Sequence, residues 1–230
     1  TYSPSIRLNN RLGYDENSDY INSLDVQTER IPESDSKQII PFEIVVYDPG
    51  RLEAQDYLYF RAYLESLSDS FGGTWNSTKY IGRAEDLYNY GGFTRGISFG
   101  FKLAAHSEDD MFPLYKKLNL LTGTTAPSYS ENQSFMRGIF TKLTIGDYVR
   151  RLPGFFTSVN LSWDTSYPWE IGIDENGNKN NIPRAPHILD VSLEYQPVHD
   201  FNPAYGQYFI DAAVPRGSVT VEPLQFQGVL

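Results

Sequence analysis

Gly96-Ile97-Ser98-Phe99-Gly100-Phe101-Lys102-Leu103-Ala104-Ala105 is the stretch on which the fold turns. Ile97, Phe99, Phe101, Leu103 and Ala105 alternate with Ser98, Gly100, Lys102 and Ala104. A period of two is what a half-buried strand requires, because successive side chains leave opposite sides of the pleat. The alternation recurs where Val159, Leu161 and Trp163 face Ser158, Asn160 and Ser162, and again where Leu189, Val191, Leu193 and Tyr195 face Asp190, Ser192 and Glu194. Further strands are expected over 42–47, 57–67, 138–145 and 169–173, separated by Gly, Pro, Asn and Asp clusters that favour turns. The chain reads as mainly β and antiparallel.

One helix interrupts the strands. Ser107 suits its N-cap, and Glu108, Asp109 and Asp110 complement the dipole of a first turn. Met111, Leu114, Leu118 and Leu121 recur at spacings of three and four, a stripe that would cover one edge of the sheet and leave Lys116 and Lys117 partly outward. Gly123 and Pro127 end it, while Pro113 removes one intrahelical bond unless the regular helix begins nearer Phe112. The β domain spans 38–202. Residues 1–37 form an extended arm, and 203–230 a C-terminal extension studded with Tyr205, Tyr208, Phe209, Phe226 and Leu230. Neither has a core of its own, so a neighbouring chain is the simplest source of order for both. The chain starts at Thr1 with no basic and apolar leader after it, as a processed chain or a late start would.

Composition narrows the function. The formal charge of −10 argues against a surface that grips nucleic acid by neutralising phosphates, though not against one that lets it slide past. Cysteine is absent, which removes disulfide scaffolds, thiolate metal sites and cysteine nucleophiles together. No apolar run approaches the ~20 residues of a membrane helix. Aromatic residues make 15% of the chain, a share that suits sheets and broad protein interfaces better than helix bundles.

Gly96-Ile97-Ser98-Phe99-Gly100 matches the G-x-S-x-G nucleophile elbow, but that serine must sit on a sharp turn between strand and helix, and here the alternation runs straight through. Asp174-Glu175-Asn176-Gly177-Asn178 imitates a calcium loop, yet Lys179 stands where Gly is needed and Ala185 where Glu is needed, so a solvated Asn-Gly turn is expected. His106, His187 and His199 are scattered and read as strand ends, not zinc ligands. Chance suffices for the sequons at Asn76, Asn132 and Asn160, and for carboxylate pairs at glycosidase spacing. No catalytic residue, metal or cofactor is expected, and the chain is read as a non-enzyme.

From Tyr59 to Asn202 the chain resembles the tail-tube and baseplate tube-initiator proteins of contractile-tailed bacteriophages. Phe60-Arg61-Ala62-Tyr63-Leu64, Ser66-Leu67-Ser68-Asp69 and the run Trp75-Asn76-Ser77-Thr78-Lys79-Tyr80-Ile81-Gly82-Arg83-Ala84-Glu85 carry the likeness first. Tyr115-Lys116-Lys117-Leu118-Asn119, Phe135-Met136-Arg137-Gly138 and Pro153-Gly154-Phe155-Phe156-Thr157-Ser158 continue it, with Pro168-Trp169-Glu170-Ile171-Gly172 and Pro186-His187-Ile188-Leu189 beyond. The resemblance implies a β-sandwich with one flanking helix, six copies to a ring, and strands from all subunits closing a barrel through which DNA passes without specific binding during genome ejection. It implies a structural virion protein of the phage tail, assembled in the host cytoplasm away from membranes. Its partners would be its own ring neighbours, adjacent tube or baseplate hub rings, and the sheath.

A main tube protein is usually compact, so the two extensions favour an initiator or baseplate ring over bulk tube. The segment 72–91, rich in Trp, Tyr and Asn, is expected to be an extended hairpin loop reaching an adjacent subunit or ring. Trp75, Lys79, Tyr80, Arg83 and Glu85 would form the contact. Asp190 and Glu194, on the polar face of their strand, are the candidates for lining an acidic lumen. The alternatives are a glycan-binding or glycan-hydrolysing β-sandwich module of a phage tail and a capsid or sheath-associated connector.

Overall fold

The computed structural model describes residues 21, 24–30, 42–47, 55–61, 63–129, 136–173 and 183–214. Its elements are β1 (Phe42–Tyr47), β2 (Gln55–Tyr59), β3 (Tyr63–Thr78), β4 (Leu87–Ala104), α1 (Glu108–Gly123), β5 (Ser128–Tyr129), β6 (Met136–Arg137), β7 (Phe140–Ile145), β8 (Val149–Ser162) and β9 (Ile188–Pro197). A single 3-10 turn follows at Asp211–Ala213. Apart from the small β5-β6 pair, the strands form one seven-stranded sheet in the order β2-β1-β7-β8-β9-β4-β3, and every neighbouring pair is antiparallel.

The sheet rolls on itself. Four ladder steps separate β1 from β4, about 19 Å in a flat sheet at ~4.8 Å per step. Yet the rings of Phe42 and Phe101 lie 4.9 Å apart. The two layers expected of a sandwich therefore belong to one continuous curled sheet. Their shared interior takes Phe42, Ile44 and Val46 from β1, Ile97, Phe99, Phe101 and Leu103 from β4, and Val191, Leu193 and Tyr195 from β9. The helix adds Met111, Leu114, Leu118 and Leu121 to the same core, each essentially sealed from solvent.

α1 starts at Glu108 and carries Pro113 inside it, so the lost bond is tolerated within the regular helix. Asp110 compensates at the N-terminus, its carboxylate accepting from the backbone N–H groups of His106 and Ser107 at 3.1 and 3.2 Å. Ser107 occupies the N-cap, as expected, and forms a capping box with Asp110 three places on.

Four expectations need correction. Lys117 does not point outward; it is fully buried, and its Nζ donates to Ile21 O at 3.1 Å and Tyr59 O at 3.0 Å. The strand expected at 57–67 divides into β2 and β3. The 169–173 segment forms no strand; Trp169 makes an isolated bridge to Pro186. The span 72–91 is β ladder with one bulge, between Thr74 and Trp75 opposite Gly91, apart from a tip at 79–86.

The described part of the N-terminal arm packs on its own subunit instead of waiting for a neighbour. Ile21 and Leu24 are buried with Val45, Tyr57 and Tyr59 on the outer side of β1 and β2. Gln27 exchanges both backbone hydrogen bonds with Tyr57, at 3.2 and 2.8 Å. Asp25 meets Lys116 Nζ at 2.7 Å, and Arg30 meets Glu43 at 3.3 Å. Likewise Phe209 of the C-terminal extension packs on Phe93, His199 and Phe201 of the body. Phe226, Leu230, Asn132 and the calcium-like run from Asp174 to Lys179 lie outside the described residues.

Candidate assembly interface

β3 and β4 pair from Tyr63↔Lys102 out to Thr78↔Leu87, whereas β9 accompanies β4 only from Ala104 to Ile97. Beyond Ile97 the hairpin has lost its third strand. It projects as a two-stranded ribbon on the order of 30 Å long, at ~3.3 Å per residue. Such a ribbon is marginal alone in water. Large apolar side chains stand out along it among exposed Thr74, Asn76, Ser77, Thr78 and Asn89: Phe71, Trp75, Leu87, Tyr88 and Tyr90 on the ribbon and Tyr80 and Ile81 at the tip. Gly82 turns the tip at φ +90, a backbone conformation that L side chains rarely adopt.

The root is locked. Arg95 and Asp69 form a two-pronged ion pair, Nη2 to Oδ2 at 2.6 Å and Nε to Oδ1 at 3.0 Å, with both side chains almost wholly buried. Tyr148 donates its hydroxyl to Asp69 Oδ2 at 3.0 Å, and Gln196 Nε2 donates to the Arg95 carbonyl at 2.8 Å. The Arg95 guanidinium also lies 4.9 Å over the Phe71 ring. Burial, with the Asp69 carboxylate beside it, raises the Tyr148 pKa. Burial and the nearby Arg95 charge lower that of His199, which is packed against Phe93, Phe201 and Phe209. The ribbon is thus a lever fixed to the body at its base.

Among the described residues β3 ends the sheet order, so its outer edge is open; at its root Leu64 and Leu67 are exposed on the face they share with Phe101 and Phe99, and Tyr63 on the opposite face, level with Lys102. Long, apolar, unpaired edges are templates for another chain. The opposite edge strand, β2, receives Gln27 instead. Trp75, Lys79, Tyr80, Arg83 and Glu85 all fall on the distal end of the ribbon and are exposed; Trp75 stacks edge-on against Tyr90 at 5.2 Å. That grouping follows from hairpin geometry alone.

Asp190 and Glu194 lie on the outward face of β9. Glu194 sits level with Ser98 of β4 and Ser158 of β8, and Asp190 level with Lys102 and Ser162. Ser66, Ser68, Ser98, Ser158, Asn160, Ser192 and Glu194 line a shallow concavity of about 580 Å³ across four strands. Its polar lining is serine hydroxyls, the Asn160 amide and one carboxylate, with Leu67, Phe99, Val159 and Leu193 between them. Sequence reading missed Lys102 here, whose ammonium stands 3.4 Å from Asp190 and 3.2 Å from Glu65. Those two carboxylates raise its pKa. Lys102 was visible on the polar face of its strand, but its partners depend on the register between strands far apart in sequence. Ser98 lies in the middle of β4, with none of the sharp turn a nucleophile elbow needs.

Among the described residues no helix is long and apolar enough to cross a membrane. No family model matches the chain, and no curated protein matches it. Among solved structures, a chain described as the tail of an empty GTA particle, obtained by helical refinement with C6 symmetry, superposes with a TM-score of 0.32 at 10% identity. The match covers 70% of this chain and 96% of that one. A likeness that loose fixes neither fold family nor role.

Proposed function

We propose that this chain is a structural subunit of a phage-type tail, a tube-initiator or baseplate tube ring that assembles with copies of itself around a passage for DNA. The observation that carries the self-assembly is the unfinished sheet: β3 is a sixteen-residue free edge with apolar side chains exposed beside it. A neighbour's strand or surface would complete it, and repetition around a symmetry axis would hide every such edge. The tail assignment itself rests on the ordered motifs between Tyr59 and Asn202.

On this reading the hydroxyl-rich face of β3, β4, β9 and β8 looks into the passage. Its serines keep water on the wall, and its few charges give phosphates no cationic grip. The chain has no catalytic role, and its partners are its own copies, the rings above and below, and the sheath. Electron microscopy of the purified chain, alone and with tail particles lacking it, tests the proposal. Closed rings with a central opening, or incorporation into the tube, are expected. A species that stays monomeric at every concentration and joins no particle would overturn it.

A further inference from the structure

The segment that follows β9 runs along the core-side face of the ribbon and is fastened at both ends. Val198 N donates to Pro153 O at 2.8 Å where the segment leaves the sheet. At its far end Asp211 N donates to Tyr148 O at 3.1 Å, and the Asp211 carboxylate accepts from the backbone N–H of Arg150, so the β7–β8 turn holds it twice. Between these points Phe209 meets four rings. Phe71 and Phe93, one on each strand of the ribbon, lie at 5.9 and 5.3 Å, and His199 and Phe201 of its own segment at 5.6 and 5.8 Å. Phe71 and Phe93 share a ribbon face with Asp69 and Arg95, because their ladder positions differ by twos. The segment therefore props the ribbon past the point where β9 has ended. Phe209, His199 and Phe201 are each half-buried, so this contact can open without dismantling the core.

His199 is the exception in the cluster. It lies 5.9 Å from the Phe93 ring and 5.2 Å from Phe201, and its Nε2 is buried without a hydrogen-bond partner. Phe would fill much the same space with no nitrogen left unsatisfied, so the imidazole weakens closure where it stands. The charges that face it are Arg95 from β4, Asp69 from β3, which also accepts from Tyr148 of the β7–β8 turn, and its neighbour Asp200. Burial and Arg95 disfavour its protonated form, and the two carboxylates oppose them less strongly.

We propose that residues 198–211 are a strap that fixes the direction of the ribbon and opens in mild acid, with His199 as its latch. In the open strap the imidazole meets water and takes up a proton near pH 6.5. Closure is thus at full strength above that pH and weakens as pH falls below it, by up to about tenfold per pH unit, until the closed form protonates too. A closed strap presents Trp75 and Tyr90 in one place, pre-organised for whatever they meet, and an open one leaves the ribbon tethered at its root. The device belongs to the single chain and does not depend on the tail reading.

The chain has no cysteine, so introduced thiols carry spin labels without background. Ile81→Cys at the tip and Phe112→Cys on α1, both at exposed positions, report the direction of the ribbon. At pH 7.5 the labelled chain, diluted in unlabelled protein, should give one narrow distance distribution, and Phe209→Ala in the same background should broaden it. Hydrogen exchange at the Asp211 and Arg150 N–H groups reads the opening itself. Corrected for intrinsic rate, their protection should fall severalfold, at most about tenfold, between pH 7.5 and 5.5, while the Val191 N–H in the core keeps its own. His199→Phe should raise protection at pH 7.5 and abolish its dependence on pH. Protection that is flat with pH, or that falls equally in His199→Phe, would overturn the inference, as would a distribution no broader in Phe209→Ala. Protection lost at Val191 together with Asp211 would mean that the whole fold opens, and would overturn it too. The pH comparison needs no altered residue, so it decides the matter even if Phe209→Ala does not fold.

Discussion

Lys117 carries its ammonium into the body of the protein, where two backbone carbonyls, Ile21 O and Tyr59 O, receive it and the Phe60 ring lies 5.3 Å away. Burial lowers its pKa from 10.5 to about 7, against the opposing pull of the Asp110 and Asp25 charges. Between those two values the unfolded chain holds a proton that the folded chain has lost, so stability from this group rises with pH through that window and is least below it. Lys117→Met should flatten that dependence. Urea unfolding of both proteins from pH 6 to 9.5 checks this, and parallel profiles would show that Lys117 titrates normally. Gly154 makes a second residue-level prediction. A Cβ there would stand 2.4 Å from Gln196 O and 2.7 Å from Tyr195 Cζ. The ring is not free to retreat, since its hydroxyl is held between two carbonyls, Leu152 O at 2.7 Å and Thr141 O at 3.1 Å, which share its one proton. Gly154→Ala should therefore cost about 1–3 kcal/mol, seen as a lowered melting temperature.

The hairpin is the element whose behaviour depends most on a few buried atoms. Arg95→Met strands Asp69 as a buried carboxylate without its cation, and the expected loss is about 3–5 kcal/mol. Arg95→Met with Asp69→Leu should recover much of it, because an apolar pair needs no compensation there; a double variant no better than the single would contradict this. Leu118→Asp, in the helix stripe, should unfold the subunit or weaken it by several kcal/mol, and an unchanged melting temperature would mean the stripe is not core. These elements were unequally legible in sequence. The stripe of Met111, Leu114, Leu118 and Leu121 was readable because helical period alone dictates which residues share a face. The strand through Phe99 was readable for the same reason at period two. Lys117 was not, since its position follows the buried stripe by phase but its charge argues outward, and carbonyls supplied from distant segments, those of Ile21 and Tyr59, resolve the conflict. The Asp69–Arg95 pair was invisible for a related reason: it requires the β3–β4 register. At the candidate interface, Trp75 and Tyr80 were legible as aromatics in a polar setting, whereas the exposed edge of β3 is a property of strand order.

At the scale of the whole molecule, charge and assembly meet on the outward face. Asp190 shares Lys102 with Glu65, so its charge is largely answered locally, while Glu194 stands among serines. On the tail reading, Lys at both positions should leave rings largely intact but slow genome delivery, most at low salt where screening is weakest, and Glu194→Lys should account for more of the effect. Ejection kinetics of particles carrying each variant measure this; unchanged rates at low salt would remove these residues from the passage wall. The strand order has a consequence for synthesis. β9, the last strand of the sheet to be made, lies between β8 and β4, so it joins the β2-β1-β7-β8 half to the β4-β3 half. Until Pro197 has left the ribosome, the nascent chain holds two half-sheets with no ladder between them, each offering an open flank. Contacts spanning roughly a hundred residues close late and slowly. β9 is thus the keystone of a biosynthetic sequence. Polypeptides arrested upstream of it would be the species most in need of a chaperone, and the free edge of β3 would meet its partner copies only after that strand is in place.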